Sequence, residues 1–296
     1  CGATCYKASN ATIIKDIYST TWTTFWSNGT PSLTKRAVIA GTYDTTTHGS
    51  FECCSLTVLS GAGRTLTITP LHYVAIQNNL TVNGTLTVQD DGSLIQISET
   101  GVNTGNITLQ RTTQMRKYDY VYWSSPVMVV PPSTGFPVTS VSPGTSPSFI
   151  FQWQPTVSGN FGIWTNANEN MVPGKGYIIR GEVTAPTTLA PFSTSFTGVP
   201  YNGVITKGIE RGSYQGTGYT NPANGRPVTK EDDNWNLVGN PYPSVINALA
   251  FFGANGNIEG AVRLWTHGSL ANTLNDDPFY GNYLYNYKST DYIVHN

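Results

Sequence analysis

The chain reads as almost wholly β: a short parallel β-solenoid followed by a jelly-roll-like antiparallel β-sandwich. Three observations predict this class. The first is a recurring short pattern: Ser55-Leu-Thr-Val58, Thr65-Leu-Thr-Ile68, Tyr73-Val-Ala-Ile76, Asn79-Leu-Thr-Val82, Thr85-Leu-Thr-Val88 and Ser93-Leu-Ile-Gln-Ile97. Each copy alternates apolar and polar residues, the period of a half-buried strand. The second is the punctuation between copies, with Gly61 to Gly63, Asn78-Asn79, Asn83-Gly84 and Asp90-Asp91-Gly92 as turn residues. The third is composition: Thr, Tyr and Trp favour strands, and the 30 Gly and 18 Pro favour turns.

The copies return every six to ten residues, so they are expected to stack as rungs, each burying its apolar row on the next. The expected division is residues 1–110 for the solenoid with its lead-in and cap, and 111–296 for the sandwich. In the lead-in, Thr20-Thr-Trp22 and Phe25-Trp-Ser-Asn-Gly-Thr-Pro31 supply aromatics to close an otherwise open, unpaired end. Ala37 to Ala40 reads as a buried strand, and Asn106 to Leu109 as the last rung. The texture changes at Arg111, where Arg111, Arg116 and Lys117 precede an aromatic strand, Tyr118 to Trp123.

Further strands are expected at Phe149 to Gln154, Gly176 to Arg180, Ser193 to Thr197, Gly203 to Lys207, Asn234 to Gly239, Ala261 to Thr266 and Tyr280 to Tyr287. One helix is expected, Ser244 to Phe252, capped by Ser244 and ended by Gly253.

Only 11% of the 296 residues are charged, against roughly 25% in an ordinary soluble domain. A formal net charge of -1 supplies no electrostatic reason for nucleic acid or an anionic membrane as partner. No apolar run approaches the ~18 residues of a transmembrane segment. The composition is that of an extracellular, secreted protein.

Four cysteines are disulfide candidates: Cys1, Cys5, Cys53 and Cys54. Strand neighbours point to opposite faces, so Cys53 and Cys54 cannot both face one core. One is expected to be buried while the other pairs with Cys1 or Cys5, the connectivity being open. Cys1 is equally a candidate for lipid attachment.

Several motifs match a known group. Trp26-Ser-Asn-Gly-Thr-Pro31, Ala37-Val-Ile-Ala-Gly-Thr-Tyr43 and Val74 to Val88 are followed in order by Tyr120-Val-Tyr-Trp-Ser-Ser-Pro126 and Met171-Val-Pro-Gly-Lys-Gly-Tyr-Ile-Ile-Arg180. Asn234-Trp-Asn-Leu-Val-Gly-Asn-Pro-Tyr-Pro-Ser244 and Leu264-Trp-Thr-His267 complete the series. The chain resembles secreted surface proteins of Bacteroidota that are exported by the type IX secretion system. The resemblance implies a cell-surface adhesin, stalk or filament, with copies of itself as partners and no catalytic residues to carry over. It also implies a further core strand beyond Asn296. Either the sequence is a fragment, or a neighbour supplies the strand, with Ile13, Ile14 and Ile17 of the Ala3 to Tyr18 segment as the candidate inter-subunit strand. An ordinary N-terminal strand folded onto its own solenoid is the equal alternative for that segment.

The remaining motifs offer little chemistry. Trp235 and Tyr242 in the Asn234 to Ser244 motif could wall a pocket, but a buried Trp strand running into a Pro-fixed turn is the simpler reading. Pro173-Gly-Lys-Gly-Tyr177 lacks the spacing of a phosphate loop. The pairs Asp90-Asp91, Asp232-Asp233 and Asp276-Asp277 are candidate half-sites for calcium, without any full calcium-loop pattern. His48, His72, His267 and His295 fall in no zinc or nucleophile motif, so no catalytic, metal or cofactor residue is assigned. Trp153, Trp164 and Trp265 are the candidates for stacking against surface glycans, which makes a carbohydrate-binding module the alternative function. Asp44-Thr45-Thr46 matches the O-glycosylation pattern of the same bacteria, with Thr45 as acceptor.

Overall fold

A computed structural model describes residues 18–130, 134–156, 162–212, 219–220, 227–228, 235–258, 261–266, 268 and 291–295. It is nearly all β, 42% strand and 8% helix, with a solenoid of about 5 turns followed by antiparallel sheets.

The solenoid has three faces. β1 (Ser19–Trp22) opens the first, and β2 (Arg36–Ile39), β3 (Thr42–Asp44) and β4 (Phe51–Cys53) then make one coil. β5 (Leu56–Val58), β6 (Thr65–Ile68) and β7 (Tyr73–Ile76) make the next. β8 (Leu80–Val82), β9 (Thr85–Val88) and β10 (Ser93–Gln96) follow, and β11 (Asn103–Thr104) leads into β12 (Ile107–Met115). Pairing from coil to coil is parallel on every face.

This corrects the expected stacking. Consecutive Thr-rich segments lie on different faces, and each strand's partner is the third one along. Leu56 sits over Leu80 and Val58 over Val82; on the next face Leu66 sits over Leu86 and Ile68 over Val88. These eight side chains are buried, while the alternating Thr57, Thr67, Thr81 and Thr87 face outward. Burying such an aliphatic side chain is worth about 1.5–3 kcal/mol, so like-on-like columns hold the coils in register.

The corners set this arrangement. Asn83-Gly84, read as a tight turn, redirects the chain onto the next face instead of reversing it. A Cβ at Gly84 would press on the carbonyl oxygens of Leu59 and Arg64 in the coil before, the latter at 2.7 Å. At Gly105 (φ +81) a Cβ would overlap the Val82 carbonyl, and the left-handed backbone itself favours glycine. The corner after β3 is a short helix, α1 (Thr45–His48), capped by the Asp44 side chain accepting from Thr46 N. Inside it the Thr45 hydroxyl accepts from Thr69 N at 2.9 Å and shares a 2.8 Å bond with the Thr69 hydroxyl.

The N-terminal end is capped as expected, by the lead-in aromatics. Trp22, Trp26, Tyr43 and Phe51 pack with ring centroids 4.7–5.6 Å apart. The cap also consumes the free edge of β1: Ser27 N donates to Thr21 O, Thr21 N donates to Ser27 Oγ, and Trp22 pairs with Trp26. The Trp22 indole N–H donates to Thr42 O at 2.9 Å, covering part of β3. An exposed edge invites pairing with another chain, and these contacts block it.

β13 (Tyr120–Trp123), β14 (Val127–Val129), β15 (Thr134–Gly135), β16 (Ile150–Gln154), β17 (Ile163–Asn166), β18 (Tyr177–Arg180) and β19 (Ala190–Pro200) build the second half. The boundary expected near residue 110 falls inside β12. This strand pairs parallel with β9 through Thr108 and Leu109, then antiparallel with β19 from Ile107 to Met115. One seven-stranded sheet, β15-β14-β19-β12-β9-β6-β3, therefore runs from the second half into the solenoid. A four-stranded antiparallel sheet, β13-β18-β16-β17, packs on its second-half portion. There Trp123 meets Phe192 and Phe196, and Phe136 meets Phe196 at 5.0 Å.

The Asn240-Pro-Tyr-Pro-Ser244 turn plugs the other end of the solenoid. Pro243 O accepts from Leu94 N on the outer edge of β10, and the Tyr242 hydroxyl donates to Gly203 O at 2.7 Å. Asn202 Nδ2 donates to Ser98 O and Gly101 O beside it. Proline at 241 and 243 fixes the backbone that delivers that carbonyl.

Beyond the plug, the helix is α2 (Ala248–Ala254), and its cap is Asn247 rather than Ser244, the Asn side chain accepting from Ala250 N. The strand expected at Gly203 to Lys207 is irregular backbone. Of the one expected at Asn234 to Gly239, Val238 makes a single bridge with Lys175. β20 (Tyr219–Thr220) pairs with β21 (Pro227–Val228), and β22 (Val262–Trp265) with β23 (Tyr292–His295). Tyr280 to Tyr287 lies outside the described residues.

Candidate functional site

Two shallow concave surfaces lie among the described residues, one at each half. The first is a basin of about 660 Å³ at the N-terminal end of the solenoid, walled by Trp22, Trp26, Tyr43, His48, Phe51 and Tyr73. Its aromatics are the cap already described. The Tyr43 hydroxyl donates to His48 O and Gly49 O, and burial pushes its pKa up to about 12 against the opposing pull of Trp26.

The second is a cleft of about 300 Å³ beside the four-stranded sheet. It begins with the outward face of β16 and β17, where Trp153 and Trp164 are direct cross-strand partners with ring centroids 5.1 Å apart. The Trp153 indole N–H donates to Trp235 O at 2.7 Å, and Gly162 lies so close that any Cβ there would strike the indole. The ring is thereby fixed from three sides. It forms one wall of the cleft with Gln154 and Pro155.

The floor comes from the Pro173 to Gly176 turn. Lys175 Nζ lies 2.7 Å from Glu169 Oε1 and also donates to Gln152. The Tyr177 hydroxyl donates to the same carboxylate oxygen at 2.7 Å and accepts from Val172 N. Burial pushes Glu169 upward, but hydrogen bonds from Lys175 and Tyr177 and the lysine charge outweigh it, so its pKa ends below the ordinary value. Burial and the same carboxylate push Tyr177 upward.

The opposite wall holds Lys207, Gly208, Glu210, Asn236 and Leu237. The Asn236 side chain clamps the irregular segment that carries Glu210: Glu210 N donates to Asn236 Oδ1 at 3.0 Å, and Asn236 Nδ2 donates to Glu210 O at 2.7 Å. Both backbone groups of Glu210 are satisfied, and its carboxylate stays exposed at the rim, touched by the Thr156 hydroxyl at 3.4 Å.

The three tryptophans singled out in the sequence share one aromatic array. Trp164 meets Trp153 on one side and Tyr122 on the other, and Tyr122 links onward to Trp265 at 6.2 Å. Trp265 in turn packs on Tyr292 at 4.9 Å, while the Tyr122 and Tyr292 hydroxyls bond at 2.7 Å. This corrects the expected open platform: β22 and β23 lie against the array, so Trp164 and Trp265 serve packing and only Trp153 borders the cleft. Trp235 is likewise covered, with the Arg263 guanidinium 4.4 Å over its ring.

Other expected sites resolve differently. Thr45 is 0% exposed with its hydroxyl committed to Thr69, so the folded chain offers no acceptor for glycosylation there. Cys53 faces the solenoid core as a free, buried thiol, its pKa raised by burial, so it is no disulfide partner. Cys54, its neighbour on the opposite side, is disulfide-bonded. Cys1, Cys5, Ile13, Ile14 and Ile17 lie outside the described residues. Asp90 and Asp91 occupy a coil corner in the field of the Arg111 guanidinium, which offsets part of their charge. Among the described residues no three His, Cys, Asp or Glu side chains gather as a metal site. The acids at 232–233 and 276–277 fall outside them.

Lys207 and Glu210 carried no signal in the sequence, and Lys175 and Asn236 stood in motifs read as a turn and a strand. They come from separate irregular segments, and only the packing of those segments against β16 brings them together. The family described as a domain of unknown function (DUF8693) matches the chain over residues 15–296. No curated protein matches it, and no solved structure does.

Proposed function

The chain belongs to the DUF8693 family, and we propose that it is a non-enzymatic structural segment of an extracellular surface assembly: a stalk, adhesin or filament. The observation that carries this reading is the seven-stranded sheet joining the solenoid to the antiparallel half through β12. Separating the two halves along this sheet requires breaking either the nine-residue antiparallel ladder of β12 with β19 or the shorter parallel pairing of β12 with β9. Load therefore crosses the junction through backbone hydrogen bonds as well as through the chain itself.

The surface supports the same reading. With 11% charged residues and Thr on the outward positions of the coils, neighbouring molecules can lie side by side without strong repulsion. The resemblance to Bacteroidota proteins exported by type IX secretion favours display at the cell surface. Both solenoid ends are occupied, by the Phe25 to Gly29 segment and by Pro243, so assembly by simple end-to-end stacking of coils is disfavoured. Lateral contact, or a strand supplied elsewhere by a neighbour, is the proposed route.

Negative-stain electron microscopy of the purified intact chain, and of native surface material containing it, tests the proposal. Regular fibres or stiff rods without added ligand support it. Dispersed compact particles in both samples, together with turnover of a surface polysaccharide, would overturn it.

A further inference from the structure

We propose that the cleft between Trp153 and the Lys207 to Glu210 segment binds a saccharide, one ring of a glycan chain lying against the indole. This goes beyond the structural role and does not depend on it. The argument starts with shape and polarity: at about 300 Å³ the cleft is at the small end of ligand sites, room for a sugar unit rather than a folded partner. Its wall is a tryptophan whose ring is held by the Trp235 carbonyl, Gly162 and Trp164, so no side-chain ordering is needed when a ligand arrives. A pyranose offers an apolar C–H face to such a ring and hydroxyls around its edge.

The polar groups select among ligand classes. Lys175 is already matched by Glu169. Lys207 and Glu210 are exposed and in no ion pair among the described residues. Lys207 Nζ spends one of its three donors on Gly208 O at 2.7 Å and keeps two, while the Glu210 carboxylate accepts only a 3.4 Å contact from Thr156. A phosphate or nucleic acid would meet the Glu210 carboxylate as a like charge. A purely apolar ligand would strand both charges, and a cation would meet two lysines. Vicinal hydroxyls, each able to donate and accept, satisfy a carboxylate and an ammonium together.

The test uses the intact chain with insoluble cellulose, chitin and xylan as probes, followed by calorimetry with soluble oligosaccharides of any polymer that retains it. The variants are Glu210→Gln, Lys207→Ala and their combination, all at exposed side chains, with Trp153→Ala as the harsher change. Loss of a hydrogen bond to a charged partner predicts about tenfold weaker binding or more for each rim variant, with the melting temperature unchanged. Should Trp153→Ala fail to fold, the rim variants still decide. Retention on none of the three polymers overturns the proposal, as does retention that the Glu210→Gln, Lys207→Ala double variant leaves within twofold. Fibre formation seen by microscopy is expected to survive the rim variants, so the two readings fail separately.

Discussion

Three glycine-to-alanine changes separate the two forces that shape the solenoid corners. Gly63 has φ +73 with open space around it, so Gly63→Ala imposes only left-handed backbone strain, about 1–2 kcal/mol. Gly84 lacks a positive φ, but its Cβ would press on the carbonyls of Leu59 and Arg64; overpacking of this kind costs about 1–3 kcal/mol. Gly105 combines φ +81 with overlap of the Val82 carbonyl, so Gly105→Ala should cost the sum, about 2–5 kcal/mol. The carbonyl belongs to backbone that also carries the parallel ladder between β8 and β5, so it cannot swing aside cheaply. Urea unfolding followed by far-ultraviolet circular dichroism measures all three under one condition. The expected order is Gly105→Ala as the most destabilised, with Gly63→Ala and Gly84→Ala each milder. If Gly105→Ala unfolds no more easily than Gly63→Ala, the coils do not stack backbone on backbone at this corner, and the account of the corners is wrong.

Other changes probe the core and the cleft. Thr45→Val removes the oxygen that accepts from Thr69 N and leaves a buried donor unsatisfied; a loss of about 1–3 kcal/mol in urea unfolding is expected. The Glu169 pKa is lowered on folding, so its stabilising contribution is full above the ordinary value of 4.5 and is lost as pH falls through the lower folded value. Thermal melts between pH 6 and 3 should show this acid-side loss, and it should shrink in Glu169→Gln. The buried Cys53 thiol should resist a thiol reagent in the native state and react on addition of denaturant, whereas Cys54 should require a reductant, as peptide mass spectrometry would show.

The sequence made the inward side chains legible and the coil length illegible. Leu-Thr-Val triplets mark which residues face inward, because a strand's period of two is a local property. They do not say which triplet stacks on which. Leu56 could in principle lie over Leu66 or Leu80, and the choice falls to the corner geometry of Gly84 and its counterparts. The same limit applies to the Asn240 to Ser244 motif: its prolines announce a fixed turn, but only the assembled chain reveals that Pro243 caps β10. Trp153 was recognisable as an aromatic of interest, while Trp164 and Trp265, alike in sequence terms, are packing residues, the first set between Trp153 and Tyr122 and the second between Tyr122 and Tyr292.

What the amino-acid sequence determined alone was the β class, the parallel solenoid, the aromatic cap and the change of architecture after the last coil. Alternation, turn residues and composition act within a few residues of one another, so they can be read without folding the chain. What the tertiary structure alone decided was the three-faced coil, the strand β12 shared by both halves, and the meeting of Trp153 with Lys207 and Glu210. Those depend on contacts between segments far apart in the chain, where the free energy of burial and of backbone pairing chooses among partners that look equivalent along the sequence.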